Sequence, residues 1–381
     1  MSLTPQPGTL ITAIGIDIGG TKIKGSVVQW DIDTPITNES VTFLATEQYP
    51  TPTQPTEYQQ QLVGLVNRLC QAYRSITGDT DTFIPVGISS AGIFHPETGD
   101  TIGSTGNLPA LKSFQSYHEI LSPVSDTTLL AITNDANAAA YGEYRALNEP
   151  NIKNMLMVTL GTGIGGGAVI DGKLYSGAHG SALEVGHMRL SRRSGRDCTC
   201  GLRGCWEAYG SGNGLCTTVN EWVARARSEE GDSHPEWQTS PLLDSPMNRT
   251  ATKGAKENDP LSLCVMTQWH EDLAVGLANL GTILNPQRVV IGGGLGDVAD
   301  MERLESMTQD FTLAPEFKMV HSQWGNDAGL LGAALWAHEH LPHKPETNST
   351  LLNADESMQA ALHQRQATSS DTDPSRVTTA S

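Results

Sequence analysis

His187, Cys198, Cys200 and Cys205 fall within nineteen residues of one another, with Gly201 and Gly204 in the turn between the last two thiols. One imidazole and three thiolates form a donor set for tetrahedral Zn²⁺, and glycine lets the backbone turn tightly enough to aim three sulfurs at one point. With four protein ligands such a zinc has no open position for water and is structural. Glu184 and Glu207 bracket the cluster. They are not expected zinc ligands and are free for other chemistry.

Two further segments are suited to phosphate. Asp17-Ile18-Gly19-Gly20-Thr21-Lys22 places a carboxylate, paired glycines and a hydroxyl at a hairpin tip. There, backbone N–H groups can approach phosphate and Asp17 can hold Mg²⁺ directly or through water. Gly161-Thr162-Gly163-Ile164-Gly165-Gly166 satisfies a dinucleotide-binding spacing, but that fingerprint requires a helix next. Residues 167–175 instead read as strand, Asp-Gly turn, strand, which rejects a nicotinamide site and keeps a phosphate one. An ordinary tight hairpin accounts for either segment alone; two in one chain favour phosphate. Asn134-Asp135 stands where a strand meets an alanine-rich helix, the junction at which open α/β folds deliver side chains to a cleft. Helix capping explains such a pair. The sharper reading makes Asp135 a general base for phosphoryl transfer, for which a positioned carboxylate of ordinary pKa suffices.

The positioning elements follow from periodicity and punctuation. Apolar strands run into all three glycine loops, at residues 14–22, 155–167 and 289–294, and the first two return as hairpins. Their spacing predicts two related halves. Helices are expected over 58–76, 136–147, 259–284 and 329–340, with a strand over 84–89. If the Glu184–His187 stretch is helical, those two side chains share a face. Residues 228–255 read as a polar surface insertion and 344–381 as a disordered tail.

The chain has 381 residues and a net charge of -18, so a nucleic-acid backbone would be bound against the field of the molecule. Residues 1–18 contain neither a signal peptide nor a membrane span. Cys70, Cys216 and Cys264 are scattered in apolar or helical contexts, which predicts buried thiols in a reducing, cytoplasmic compartment.

Together, Asp17 to Lys22, Asn134 to Ala139, Leu160 to Gly167, Glu184-x-x-His187 and the knuckle ending Cys205-Trp206-Glu207 resemble the ROK family (repressor, open reading frame, kinase), over about residues 12 to 340. The resemblance implies a two-lobed α/β, actin-like (ribonuclease H-like) ATPase fold with a zinc knuckle, 187–205, in the larger lobe. Residues 11–133 and a returning helix, 327–342, would form the smaller lobe, and 134–326 the larger. ATP with Mg²⁺ and a hexose would bind in the cleft. Asp135 would be the catalytic base, and Asn134, Glu184, His187 and Glu207 would bind sugar hydroxyls, with His187 also on zinc beside Cys198, Cys200 and Cys205. Asn107, in Gly106-Asn107-Leu108-Pro109, is similar to a sugar-side element of the family's bacterial glucokinases, and Gly92 to part of a sugar-side loop. Gly19, Gly20, Thr21, Lys22, Gly161, Thr162 and Gly163 would face phosphate, and Gly292, Gly293 and Gly294 the adenosine side. The chain departs at Leu183, where glycine commonly precedes the glutamate in the family; this bears on how the segment passes the sugar.

The expected activity is therefore transfer of the ATP γ-phosphate to the 6-hydroxyl of a hexose, glucose first and an N-acyl hexosamine such as N-acetylmannosamine second. Family regulators carry a helix-turn-helix ahead of the first hairpin; sixteen residues before Asp17 are too few for one. No nucleic-acid or membrane partner is expected, and the resemblance implies a homo-oligomer, dimer or tetramer.

Overall fold

The β-branched runs Leu10–Ile18 (β1) and Lys22–Asp31 (β2) pair antiparallel around the tip at residues 19–21, and Val41–Pro50 (β3) extends the meander. The helix Pro55–Thr77 (α1) starts with Pro at its first turn and stops at Gly78 in the left-handed region. It carries the chain across to Ile84–Ser90 (β4), which lies parallel to β1. After the small hairpin Ile93–Phe94 (β5) and Thr101–Gly103 (β6) and the short helix Tyr117–Ile120 (α2), Thr128–Asn134 (β7) joins β4 in parallel. The first sheet thus runs β3-β2-β1-β4-β7. The computed structural model describes residues 9–78, 83–96, 98–103, 108–124, 128–191, 194–313 and 317–341. Asn107 and the segment 344–381 lie outside them.

Asp135–Ala146 (α3) leads to a second sheet of the same design. Met155–Leu160 (β8), Ile164–Ile170 (β9) and Lys173–Leu174 (β10) form an antiparallel meander, with an Asp171-Gly172 turn in which both residues have positive φ. Next come Glu207–Gly210 (α4), Gly212–Ala226 (α5), Glu229–Asp232 (α6), Asn248–Lys256 (α7) and Pro260–Leu284 (α8), whose first turn is capped by Asp259. Arg288–Gly292 (β11) returns parallel to β8, and Met301–Gln309 (α9) precedes Lys318–His321 (β12). The order β10-β9-β8-β11-β12 repeats that of the first sheet, so the two halves expected from the hairpins are present as topology.

The last helix, Ala328–His340 (α10), packs on β1 and β4, whereas α3 packs on β8 and β9. The two helices also pack on each other, and a buried cluster including Ala13, Val28, Ala140, Met157, Val290 and Leu331 fills the space around them. Close approach depends on missing side chains: a Cβ on Gly87 would overlap Ala333, and one on Gly332 would overlap Ala138.

Two expectations need correction. Residues 228–255 are not merely a surface insertion: Trp237, Leu242 and Ala251 are buried in the core beside the second sheet. Their helices are too short to show periodicity, which hid the few apolar anchors. Cys216 lies exposed on α5, and Cys264 is only partly buried, so of the three scattered thiols Cys70 alone fits the buried assignment. No helix of the described residues is long and apolar enough to cross a membrane.

Candidate active site

Both hairpin tips, the start of α3 and the segment before the knuckle open on one cavity of about 410 Å³. Its lining includes Asp17, Gly19, Gly92, Asn134, Asp135, Gly161, Gly163, Glu184, Glu207 and Gly293, all anticipated from sequence. Gly20, Thr21, Lys22, Thr162, Gly292, Gly294 and His187 are not part of that lining; Thr21 and Lys22 face solvent at the hairpin tip. A larger cavity of about 530 Å³ lies beside it and shares Asn134 and Gly180, but no Asp or Glu lines it. The carboxylates line the smaller one.

Asp17, next to last in β1, lies opposite Ser89 of β4, and the Ser89 hydroxyl donates to its Oδ1 at 2.6 Å. Burial pushes the Asp17 carboxyl up to about 6, with the Asp135 charge adding while the Ser89 hydrogen bond, Lys22 and Lys24 oppose it. The tip beyond it is held by Thr51, whose hydroxyl donates to the Gly19 carbonyl at 2.7 Å.

Asn134 is the N-cap of α3. Its Oδ1 accepts the Ala136 and Asn137 N–H groups at 2.9 and 3.3 Å, and its Nδ2 donates to the Gly92 carbonyl at 2.9 Å. The cap fixes Asp135 at the helix start, where its Oδ1 also accepts the Ala136 N–H at 2.9 Å. A positioned carboxylate of ordinary pKa would suffice as a base here. Burial instead pushes Asp135 up, only partly offset by hydrogen bonds from the backbone and Asn134.

Glu184 and His187 do not share a helix. Glu184 precedes a single 3₁₀ turn, Val185–His187, because Leu183 is left-handed at φ 66° and Met188 is already extended toward the bridge between Arg189 and Cys205. Glu184 still reaches solvent, yet partial burial raises its pKa, and the carboxylates of Asp135 and Glu207 add to the shift against His187.

The knuckle forms as its spacing requires. Gly201 and Gly204 adopt φ of 83° and 75°, and Gly201 closes its turn by donating to the Cys198 carbonyl at 3.0 Å. The ligand atoms of His187, Cys198, Cys200 and Cys205 all lie within 4.8 Å of one another. Cys200 and Cys205 Sγ are 3.7 Å apart, and Cys198 Sγ is 3.8 Å from His187 Nδ1. A tetrahedron with metal–sulfur distances of about 2.3 Å has edges of about 3.8 Å. The donor set and its geometry therefore fit a four-coordinate zinc, and the sulfur separation excludes a disulfide.

The Glu207 carboxylate links the knuckle to the second hairpin: Oε1 accepts the Thr199 hydroxyl at 2.9 Å and Oε2 the Ile164 N–H at 3.1 Å. Ser89 and the Ile164 amide were not anticipated, since their partners lie 72 and 43 residues away in sequence; Thr199 lies only eight residues from Glu207, but nothing in its residue type marks the contact. Asn326 and Gly329, at the start of α10, also line the cavity unanticipated; the dipeptide Gly325-Asn326 ahead of an alanine-rich helix was the available signal. Asp17, Asp135, Glu184 and Glu207 give the cavity four carboxylates, and none of its described lining residues is Lys or Arg.

Comparison with known proteins gives the family. The model of the ROK family matches residues 13–340. A glucokinase of Streptomyces coelicolor is 30% identical over 348 residues, covering 86% of this chain and 98% of that protein. An N-acetylmannosamine kinase of Haemophilus influenzae is 27% identical over 335 residues, covering 87% and 97%. Among solved structures, a ROK family glucokinase from Streptomyces griseus in complex with glucose and AMPPNP superposes with a TM-score of 0.65 at 27% identity, covering 86% of this chain and all of that one. A ROK hexokinase from Thermus thermophilus gives 0.64 at 26% identity, covering 87% and 100%. With a family model spanning nearly all its described residues, the same sheet order in both halves and the Cys₃His knuckle in place, the chain belongs to the ROK family.

Proposed function

We propose that this protein is an ATP-dependent hexose kinase that transfers the γ-phosphate to the 6-hydroxyl of glucose. The observation that carries the reading is the shared cavity, whose lining brings Asp135 together with residues of both glycine hairpins and with Glu184 and Glu207. Phosphoryl transfer demands little covalent chemistry and much positioning, which is what this arrangement supplies.

The sugar is held by Asn134, Glu184, His187, Glu207 and Asn107, and its 6-hydroxyl points at Asp135. Asp135 accepts that proton as the oxygen attacks phosphorus, and the Asn134 cap keeps its carboxylate from swinging away. The hairpin amides around Gly19, Gly20, Thr21, Lys22 and Gly161, Thr162, Gly163 face the phosphates, and Gly292, Gly293 and Gly294 the adenosine. Four carboxylates with no lining Lys or Arg would repel a bare nucleotide. That charge balance supports MgATP as donor, with Asp17 as the group that holds the metal, directly or through water. Mg²⁺ supplies neutralisation of the β- and γ-phosphate oxygens.

His187, Cys198, Cys200 and Cys205 hold a structural Zn²⁺, which fixes the segment that presents Glu184 and the knuckle that grips Glu207. The relatives named N-acetylmannosamine kinase support an N-acyl hexosamine as the second choice of acceptor. The larger lobe is taken as 134–326, the smaller as 11–133 with the returning helix, and the working form as a cytoplasmic homo-oligomer.

A donor-by-sugar activity matrix tests this reading. ATP or polyphosphate is combined with glucose, mannose, fructose, N-acetylglucosamine or N-acetylmannosamine, and the phosphorylated carbon is identified by ³¹P NMR. Glucose 6-phosphate from ATP is expected as the main product. No turnover with any pair would leave a sugar-binding regulator instead.

A further inference from the structure

Six described residues other than glycine have positive φ: Ala45, Asn148, Asp171, Leu183, Asn258 and Asn285. Asn and Asp visit this region at little cost, and four of the six are of those types. Leu183 is the one large apolar side chain among them, and a left-handed backbone strains such a residue. Strain of that kind persists only where the surroundings impose it.

The surroundings of Leu183 are those of the site. The residue lines the 410 Å³ cavity and packs against the buried core beside the second sheet. Its carbonyl accepts the Val185 N–H at 2.7 Å across Glu184, whose φ and ψ of −67° and 54° make it the centre of an inverse γ-turn. The turn is pressed directly onto β9, where a Cβ on Gly166 would come within 3.1 Å of the Leu183 carbonyl and 2.6 Å of the Val185 side chain. Glu207 and Asn134 are held by their own side-chain hydrogen bonds. Glu184 has no side-chain hydrogen bond among the described residues, so no such bond fixes its carboxylate and the turn that carries it sets its direction.

We propose that Leu183 is a positioning residue for the acceptor site: its side chain, anchored on the core, holds the left-handed turn that directs the Glu184 carboxylate into the cavity. Glycine at this position would adopt the same φ without strain but would have nothing to anchor it. The inference rests on the reading above, in which Glu184 binds the sugar.

The test compares wild type with Leu183→Gly, Leu183→Met, Glu184→Ala and the Leu183→Gly/Glu184→Ala double variant, measuring kcat and the KM for glucose and for ATP. Leu183→Gly is expected to raise the glucose KM roughly tenfold or more, with the ATP KM and kcat within about threefold of wild type. Leu183→Met keeps the apolar bulk and should stay within about threefold throughout. In the Glu184→Ala background the added loss from Leu183→Gly should shrink to about twofold, because Leu183 acts through that carboxylate. A glucose KM that Leu183→Gly leaves unchanged, or raises equally with and without Glu184, would overturn the proposal alone. If Glu184→Ala itself leaves the glucose KM unchanged, the role assigned to Glu184 falls, and the proposal with it.

Discussion

The Glu207 carboxylate accepts the Ile164 backbone N–H at 3.1 Å, joining the end of the Cys-rich knuckle to the second glycine hairpin. The contact is possible because Gly163 is bare: a Cβ there would overlap Glu207 Oε2. One carboxylate thereby links the Cys₃His cluster to the second glycine hairpin.

Gly163→Ala is a displacement probe for that contact. The overlap falls on the far end of a flexible side chain, so the fold should survive while the carboxylate moves. In the proposed acceptor site the displaced carboxylate loses its hydrogen bond to the sugar, and such a bond to a charged group is worth about 1.5–3 kcal/mol. Steady-state kinetics should therefore show the glucose KM raised by roughly 10- to 100-fold, with a cooperative melting transition retained. An unchanged glucose KM would mean that the position of Glu207 does not matter to the acceptor.

The direction of the Asp135 shift sets the pH profile. Burial holds this carboxyl above the ordinary aspartate range, and a general base acts only when ionised. kcat/KM should fall on the acid side with a limb clearly above the ordinary aspartate pKa of about 3.9. A limb at or below that value, measured with saturating MgATP, would show that Asp135 titrates as an exposed carboxylate.

Asp17 carries the corresponding stability effect. Its folded-state pKa of about 6 lies above the ordinary 3.8, so the folded protein holds this proton more tightly than the unfolded chain does. The contribution is complete below about pH 4 and is lost as the pH rises through about 6. At neutral pH, in Mg²⁺-free buffer with nucleotide removed by dialysis, the ionised group costs on the order of 2–3 kcal/mol. Asp17→Asn should then raise the melting temperature by about 3–4 °C at pH 7 and have little effect near pH 4. It should also abolish most kinase activity. A variant no more stable than wild type at pH 7 would contradict the burial argument.

Disrupting the Cys₃His cluster should act on one substrate. Cys200→Ala, or extraction by a strong chelator, frees the loop whose Thr199 hydroxyl grips Glu207 and the segment bearing Glu184. Calorimetric titration should show hexose affinity falling roughly tenfold or more while nucleotide affinity stays within about threefold. Equal losses for both ligands would point to global unfolding.

Much of this site was legible in sequence because its signals are local. The Asp171-Gly172 turn, the Asn134 cap and the glycines of the knuckle each impose a backbone shape on their own neighbours. What escaped was long-range or forced. Ser89 meets Asp17 only through the parallel pairing of β4 with β1. Trp237 and Leu242 are buried from helices too short to show a period. The helical face imagined for Glu184 and His187 is broken by the left-handed Leu183, a conformation that leucine does not advertise.

The central claim, that Asp135 is the base for phosphoryl transfer to a hexose, is tested most directly by glucose-dependent ADP release from wild type and Asp135→Asn, with glucose binding measured in parallel. The account predicts ATP-dependent turnover in wild type and a loss of roughly 10²- to 10⁴-fold in kcat for the variant, with glucose affinity retained. Near wild-type kcat in Asp135→Asn would contradict it.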